Sequence, residues 1–384
     1  MSTQSPEPPP SSATSEARSD EDVARALVDE GNALVDQGLR AEALARFDEV
    51  LRRFQGTTQP ELRVQVCRAL LNKGLEWMLQ ERFAESMVLS EEVLGRLDGE
   101  ESVTARRLLS GALVNRGIAL EGMGRVEEAL GLYDEVLRRL DAASEPELQQ
   151  QFIRALICKS SRLGQNGESQ QALALLDEGV RRFSEATDAS LREGVAQMLS
   201  TRALLLYAWF SEPAQAIAAC DEVLLRFEGS PELPLRKAVV GALFNKANAL
   251  RMGLGQHEPA IALYAEVARR CDTLGPDMIP MMAASLMGHA VALRRLSRLE
   301  EALPLHEEVL RRFKDAPRKE LHGLVLSCFI SKAESLEALR RIAESLRTCE
   351  EFLQWLDASP EDESARHWRA RTLERKARLQ KHLN

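Results

Sequence analysis

The residues of this chain best suited to chemistry are its carboxylates, and they come in adjacent pairs. Asp134-Glu135, Asp177-Glu178 and Asp221-Glu222 each set two acids side by side, the residue type that general acid–base catalysis uses. Neighbouring residues on an α-helix diverge by about 100°, so such pairs do not converge on one substrate atom. Their regular recurrence suggests a solvated helix face instead. His306-Glu307-Glu308 begins like a helical zinc motif, but its fifth residue is Leu310 and not a second His, so no metal is expected there. Cys67, Cys158, Cys220, Cys271, Cys328 and Cys349 form no CxxC pair. No suitably spaced His makes Cys67, Cys158 or Cys328 a nucleophile. The six read as reduced thiols of a cytoplasmic protein. No GxxxxGK[ST] and no GxGxxG is present, and Gly253-Leu254-Gly255 reads as a turn between helices. These residues speak against an enzyme, and no cofactor is expected.

The elements that position these residues follow from a repeat. A small residue recurs as Ala43, Ser86, Ala129, Ala172, Ala216, Ala260, Ala302 and Ser345, in steps of 43, 43, 43, 44, 44, 42 and 43 residues. Four residues after it stand Phe47, Ser90, Tyr133, Leu176, Cys220, Tyr264, His306 and Cys349. Seven after it stand Val50, Val93, Val136, Gly179, Val223, Val267, Val309 and Phe352. Eleven after it, the series runs from Phe54 and Leu97 to Phe313 and Leu356. Spacings of 4, 7 and 11 share one face of an α-helix, so this face is expected to pack inward. His306 then reads as a buried packing residue, and Cys220, Cys271 and Cys349 as small hydrophobes. Glu and Arg four apart, as in Glu49–Arg53 and Glu178–Arg182, support the exposed side. Gly38, Gly124, Gly167 and Gly255 precede the small residue by five and mark a tight turn from an earlier helix. Pro60, Pro146, Pro231, Pro276, Pro317 and Pro360 open the next unit. Ser230-Pro231 and Ser359-Pro360 read as a helix cap followed by Pro at the first helical position. The unit is a helical hairpin, and hairpins of this kind stack.

These residues resemble tetratricopeptide repeats. The fullest copy runs Asn115-Arg116-Gly117-Ile118-Ala119-Leu120-Glu121-Gly122-Met123-Gly124 and on to Ala129 and Tyr133, and Asn72-Lys73-Gly74 and Asn245-Lys246-Ala247 open two similar copies. The resemblance covers about residues 22–357. It implies an all-α fold, a right-handed α-solenoid of eight antiparallel helix-turn-helix repeats. The family's usual period is roughly 34 residues, so the steps of about 43 mean longer helices or loops. A disordered Pro/Ser/acidic tail is expected over 1–20, the repeats over 21–357 and a basic capping helix over 358–384. Trp368, Leu373, Ala377 and Leu383 can cover the last hairpin.

The resemblance further implies that first helices line a groove in which Asn72, Asn115 and Asn245 meet a ligand backbone or carboxylate. Arg68 and Arg154 lie one helical turn earlier. A second series, Lys73, Arg116, Lys159, Arg202, Lys246, His289 and Lys332, admits two readings. It is a positive ladder that grips an acidic segment, or a row of long side chains lying along the hairpin interface and paired with neighbouring acids.

Composition narrows the partner. The chain is 5% aromatic and 28% charged with a net charge of -9, which offers no long-range attraction to nucleic acid or anionic lipid. No apolar run spans a membrane, and no secretory signal opens the chain. The reading is a scaffold or adaptor, bacterial by its Ala/Arg/Leu-rich usage, that holds a protein or peptide partner in its groove. A chaperone-like or regulatory subunit that sequesters a partner is the alternative, and a helical-repeat RNA binder a more distant one.

Overall fold

The computed structural model describes residues 19–316, 319–358 and 363–381, with backbone alone at 319, 320, 363 and 364. Residues 1–18 of the tail expected over 1–20, Pro317, Ser359-Pro360 and Leu383 lie outside the described residues, and the last two residues of that stretch, Ser19 and Asp20, cap and open the first helix. Among the described residues the secondary structure is helical and without strands. The chain divides into two compact units, residues 1–125 and 126–384.

The first unit holds α1 (Asp20–Asp36), α2 (Arg40–Phe54), α3 (Pro60–Leu79), α4 (Phe83–Arg96) and α5 (Val103–Gly122). Here α1 packs on α2, α3 on α4, and each second helix on the next first helix. The second unit runs α6 (Val126–Leu140), α7 (Pro146–Gln165), α8 (Ser169–Phe183), α9 (Ala189–Ala208) and α10 (Pro213–Phe227). It continues with α11 (Leu233–Asn248), α12 (His257–Cys271), α13 (Ile279–Arg295), α14 (Leu299–Phe313), α15 (Lys319–Ala338), α16 (Ile342–Asp357) and α17 (Glu363–Gln380). It shows the same alternation, α7 on α8, α9 on α10 and so to α15 on α16. Successive first helices also touch: α1 on α3, α3 on α5, α7 on α9, α9 on α11, α13 on α15.

The inward face is as expected. The small residue is fully buried in all eight copies, and the residue four later is at most 2% exposed in each. Within each unit, burial of that stripe against the preceding helix is what holds a hairpin, because an isolated 15-residue helix is marginal in water. One close approach depends on glycine. A Cβ on Gly288 would meet the Tyr264 ring at 2.7 Å, so the sixth copy's aromatic lies directly on the α13 backbone.

Helix starts differ in part from expectation. Pro60 and Pro146 do open α3 and α7. Ser230-Pro231 does not cap α11, which begins at Leu233 with Glu232 at the cap position and Pro234 inside the first turn. Pro276 opens a short 3₁₀ turn, Pro276–Met278, ahead of α13. Side-chain caps include Ser19, which accepts from the Asp22 N–H, Ser102 from Ala105, and Asp188 from Ser190 and Leu191.

The turn glycines belong to a fuller series. Gly38, Gly124, Gly167 and Gly255 take φ between 64° and 85°, and Glu81, Ser211, Ser297 and Arg340 occupy the equivalent position with φ between 55° and 61°. Every hairpin therefore turns through one left-handed residue. In six copies a backbone bond closes the turn across five residues, as from the Arg82 N–H to the Trp77 carbonyl at 2.9 Å. In the fifth and sixth copies the closing bonds, Glu212 to Leu206 and Gln256 to Leu250, span six residues. The extra residue behind the 44-residue steps sits here. In the sixth copy it is taken up as a π-helical segment, Ala249–Gly253, a common device for absorbing one inserted residue.

Candidate partner-binding surface

The basic series lies on the first helices, one residue past the asparagine position. Six of its seven members face an acid five residues past the small residue of the preceding second helix. Lys73 Nζ is 2.5 Å from Asp48, Arg116 3.5 Å from Glu91, Arg202 2.8 Å from Asp177 and Lys246 2.5 Å from Asp221. Lys159 pairs with Asp134, and Lys332 lies 3.5 Å from Glu307. The cations are largely covered and the acids are not: the Lys73 side chain is 14% exposed and Asp48 55%. The seventh member is His289, and the equivalent acid position carries Ala265. Burial, then the nearby Arg298, pushes the His289 pKa below its ordinary value. Where the acid is missing, the base is the one that stays neutral.

The asparagine position is less uniform. Asn72 Nδ2 donates to Asn32 Oδ1 at 2.6 Å. Asn115 is buried at 1% exposure, and Asn245 is half-buried on α11. Arg68 donates to Asp29 and Gln65, both at 2.8 Å, and Arg154 is half-buried on α7. Leu71 and Val114, just before the asparagines, belong to the core. Asn72, Lys73, Arg68 and Arg116 therefore share the first-helix side of the first unit, each with a partner within the chain. Lys159, Arg202, Lys246 and Lys332 do the same in the second unit.

A surface outside these two series stands out in the second unit. Leu204 is 42% exposed, Trp209 54%, Met252 64%, Leu254 43% and Leu296 38%. They lie at the ends of α9, α11 and α13, where first helices turn into second ones. Turns five and six abut, since a Cβ on Gly253 would collide with the Pro213 ring. Positions common to all repeats do not point to these residues. The signal was the 44-residue step, which marks the two copies carrying an extra residue beside this edge.

The residues with catalytic potential are otherwise engaged. The neighbouring carboxylates split as expected, Asp134 to Lys159 and Glu135 to Arg138 and Arg139. The Glu178–Arg182 pair does not form: Arg182 reaches back to Asp141 at 2.9 Å, and Glu178 takes Arg181. One expectation about cysteine is corrected. Cys328 Sγ lies 3.7 Å from His306 Nδ1, and its thiol is directed at the His306 carbonyl at 3.3 Å. The two are 22 residues apart in sequence, and hairpin stacking brings them together. The pair is not an activated nucleophile. Burial pushes the Cys328 thiol up to about 12 and the His306 imidazole down to about 3, so both are neutral, and nucleophilic cysteines need the thiolate. Among the described residues no group of three or more His, Cys, Asp or Glu side chains is placed to hold a metal ion. Among them, too, no helix is long and apolar enough to cross a membrane.

Helix α17 packs on α16, and four of its cations are paired. Arg375 pairs with Glu334 and Glu337, Arg378 with Glu337, Lys376 with Glu350 and Arg369 with Asp357. The residues that cover the last hairpin are Ala365, Trp368, Thr372 and Leu379. Leu373 and Ala377, expected there, are exposed, because the helix is rotated so that the side carrying Ala365, Trp368, Thr372 and Leu379 faces inward.

Models of the tetratricopeptide repeat match residues 28–94 and 282–316. No curated protein matches the chain. Among solved structures, the apo form of RapI is similar at 14% identity and a TM-score of 0.58, over 77% of this chain and 78% of that one. The apo form of the quorum sensor NprR from B. thuringiensis is similar at 17% identity and a TM-score of 0.52, over 87% of both chains. Helical hairpins at a steady interval, an inward stripe at 4, 7 and 11, a left-handed turn in every copy and two matched segments agree: this chain is a repeat protein of the tetratricopeptide type, an all-α solenoid of helical repeats.

Proposed function

We infer that the chain works by binding, as a non-catalytic scaffold or adaptor that holds a protein or peptide segment on the first-helix side of its second unit. The observation that carries this reading is the set of exposed apolar side chains at the ends of three successive first helices, Leu204, Trp209, Met252, Leu254 and Leu296. A large aromatic left in water beside several aliphatic side chains is the composition of an interface and not of an ordinary surface.

The basic series is a poorer candidate for the primary contact. Six of its cations already have an acid within the chain, so an acidic ligand would have to displace that acid from each. The reading therefore favours an amphipathic segment with apolar anchors over a purely acidic one, with Asn72, Asn115 and Asn245 as secondary backbone contacts. A cytoplasmic, bacterial setting is part of the same proposal.

The test compares capture of partners from a lysate by three forms of the chain. One is unaltered, one carries Trp209→Ala and Met252→Ala, and one carries Asn72→Ala and Lys73→Ala. Partners lost only with the first pair of changes support the edge. Partners lost only with the second pair return the site to the asparagine and lysine positions. Partners kept by both sink the proposal.

A further inference from the structure

Helix α17 repeats the register of α15 at an interval of 44 residues. Lys376 continues the basic series: its Nζ is 2.8 Å from Glu350 on α16, as Lys332 faces Glu307 on α14. Ala365, Thr372 and Leu379 are buried, and so are their equivalents Leu321, Cys328 and Ser335. This helix keeps the place and register of a first helix.

A complete hairpin buries a second face of its first helix. On α15 that face is Leu326, Phe329, Ala333 and Leu336, all buried. It packs against α16, with Phe329 stacked on Phe352 at 5.0 Å between ring centroids and Ala333 clustered with Cys349. The equivalents on α17 are Ala370, Leu373, Ala377 and Gln380, and all four are exposed, Leu373 at 51%. No described residue takes the second-helix place. Cations border the strip. Arg366 and Lys381 are exposed beside it, as is the single acid Glu374, and Arg369 and Lys376 flank its other side in pairs with Asp357 and Glu350.

We propose that this face docks an acidic amphipathic helix of a partner protein, which completes a ninth hairpin as its second helix. Two observations select that occupant. The face continues, in register, the interface by which seven first helices of the chain hold a second helix within one unit. Its border holds Arg366, Arg369, Lys376 and Lys381 against the one acid Glu374, and complementary charge selects an acidic helix. A second copy of α17 would set Arg366, Arg369, Lys376 and Lys381 against the same cations, which disfavours self-pairing. Leu373 and two alanines form a small apolar strip, so charge supplies much of the recognition and salt weakens it.

The experiment uses the full chain and a fluorescein-labelled synthetic peptide of residues 126–140 carrying Arg138→Glu and Arg139→Glu. That probe is one of the chain's own second helices without its terminal cations. Fluorescence anisotropy is expected to show saturable binding that falls by about tenfold or more with Leu373→Asp and Ala377→Asp. The loss should be accompanied by an unchanged melting curve, since both residues are exposed, and binding to the unaltered chain should weaken as salt is raised. Absence of saturable binding up to about 1 mM peptide overturns the proposal, as does undiminished binding to the double variant. Self-association of the unaltered chain that Leu373→Asp abolishes assigns the face to a second copy and also overturns it. The Trp209→Ala, Met252→Ala variant is expected to bind the probe normally, so failure here and failure of the apolar edge are separate results.

Discussion

His306 occupies the position that Phe47, Tyr133 and Tyr264 fill in other copies, fully buried and with Nε2 lacking a hydrogen-bond partner. Burial, reinforced by Arg294 and Lys332, holds its folded pKa near 3 against an ordinary 6.5. The unfolded chain therefore takes up a proton below about pH 6.5 that the folded chain refuses until about pH 3. The stability contribution is whole above 6.5, declines across that window and is flat below it. Between pH 7 and pH 5 the wild type should lose about 2 kcal/mol through this residue. His306→Phe should abolish that loss, as urea midpoints at the two pH values would show; an equal decline in the variant would place the acid sensitivity elsewhere. The turn residues act at the same scale. Glu81, Ser211, Ser297 and Arg340 sit at positive φ without being glycine, a conformation that costs an L-residue about 1–2 kcal/mol. Each should gain about 0.5–1 kcal/mol on change to Gly, the remainder being offset by glycine's freedom in the unfolded chain. Thermal melts of Glu81→Gly and Arg340→Gly check this.

Between elements, the repeated contact is the bond from a first-helix cation to the acid on the preceding second helix. Such partly exposed pairs contribute about 0–1 kcal/mol each, so they register the stack more than they stabilise it. The sixth copy breaks the row, with Ala265 and His289 where an acid and a long cation stand elsewhere. Installing Ala265→Asp together with His289→Lys should restore the rung. A double-mutant cycle should give a coupling of about 0.2–1 kcal/mol that fades with salt. Zero coupling at low salt would mean that α12 and α13 hold a different offset from the other neighbours. The same region carries the π-helical segment and the 3₁₀ turn, which fits one residue gained and one lost around α11–α13.

For the molecule as a whole, packing decides which chemistry is silenced. Five of the six cysteines are buried, and Cys158 is half-buried. Burial pushes Cys67, Cys220 and Cys328 up to about 12 and Cys271 and Cys349 up to about 11. A thiol reagent at neutral pH should label one site promptly in the folded chain and all the cysteines after denaturation, and mass mapping should place the first label on Cys158. Prompt labelling of Cys328 would contradict the inert pairing with His306.

The repeat, the inward stripe and the turn positions were legible from spacing alone, because a helix places residues 4, 7 and 11 apart on one side whatever surrounds it. So was the split of neighbouring carboxylates onto different partners. Which partner each charge finds was not legible, because a bond such as Lys246 to Asp221 joins two helices and depends on how hairpins stack. The meeting of Cys328 with His306, and the rotation that leaves Leu373 exposed, arise in the same way. The apolar edge was half-legible: the 44-residue steps announced two extra residues, but only packed helices show that they border Trp209 and Met252. Local geometry is written in periodicity, whereas contacts across helices are chosen by the shape of what packs against them.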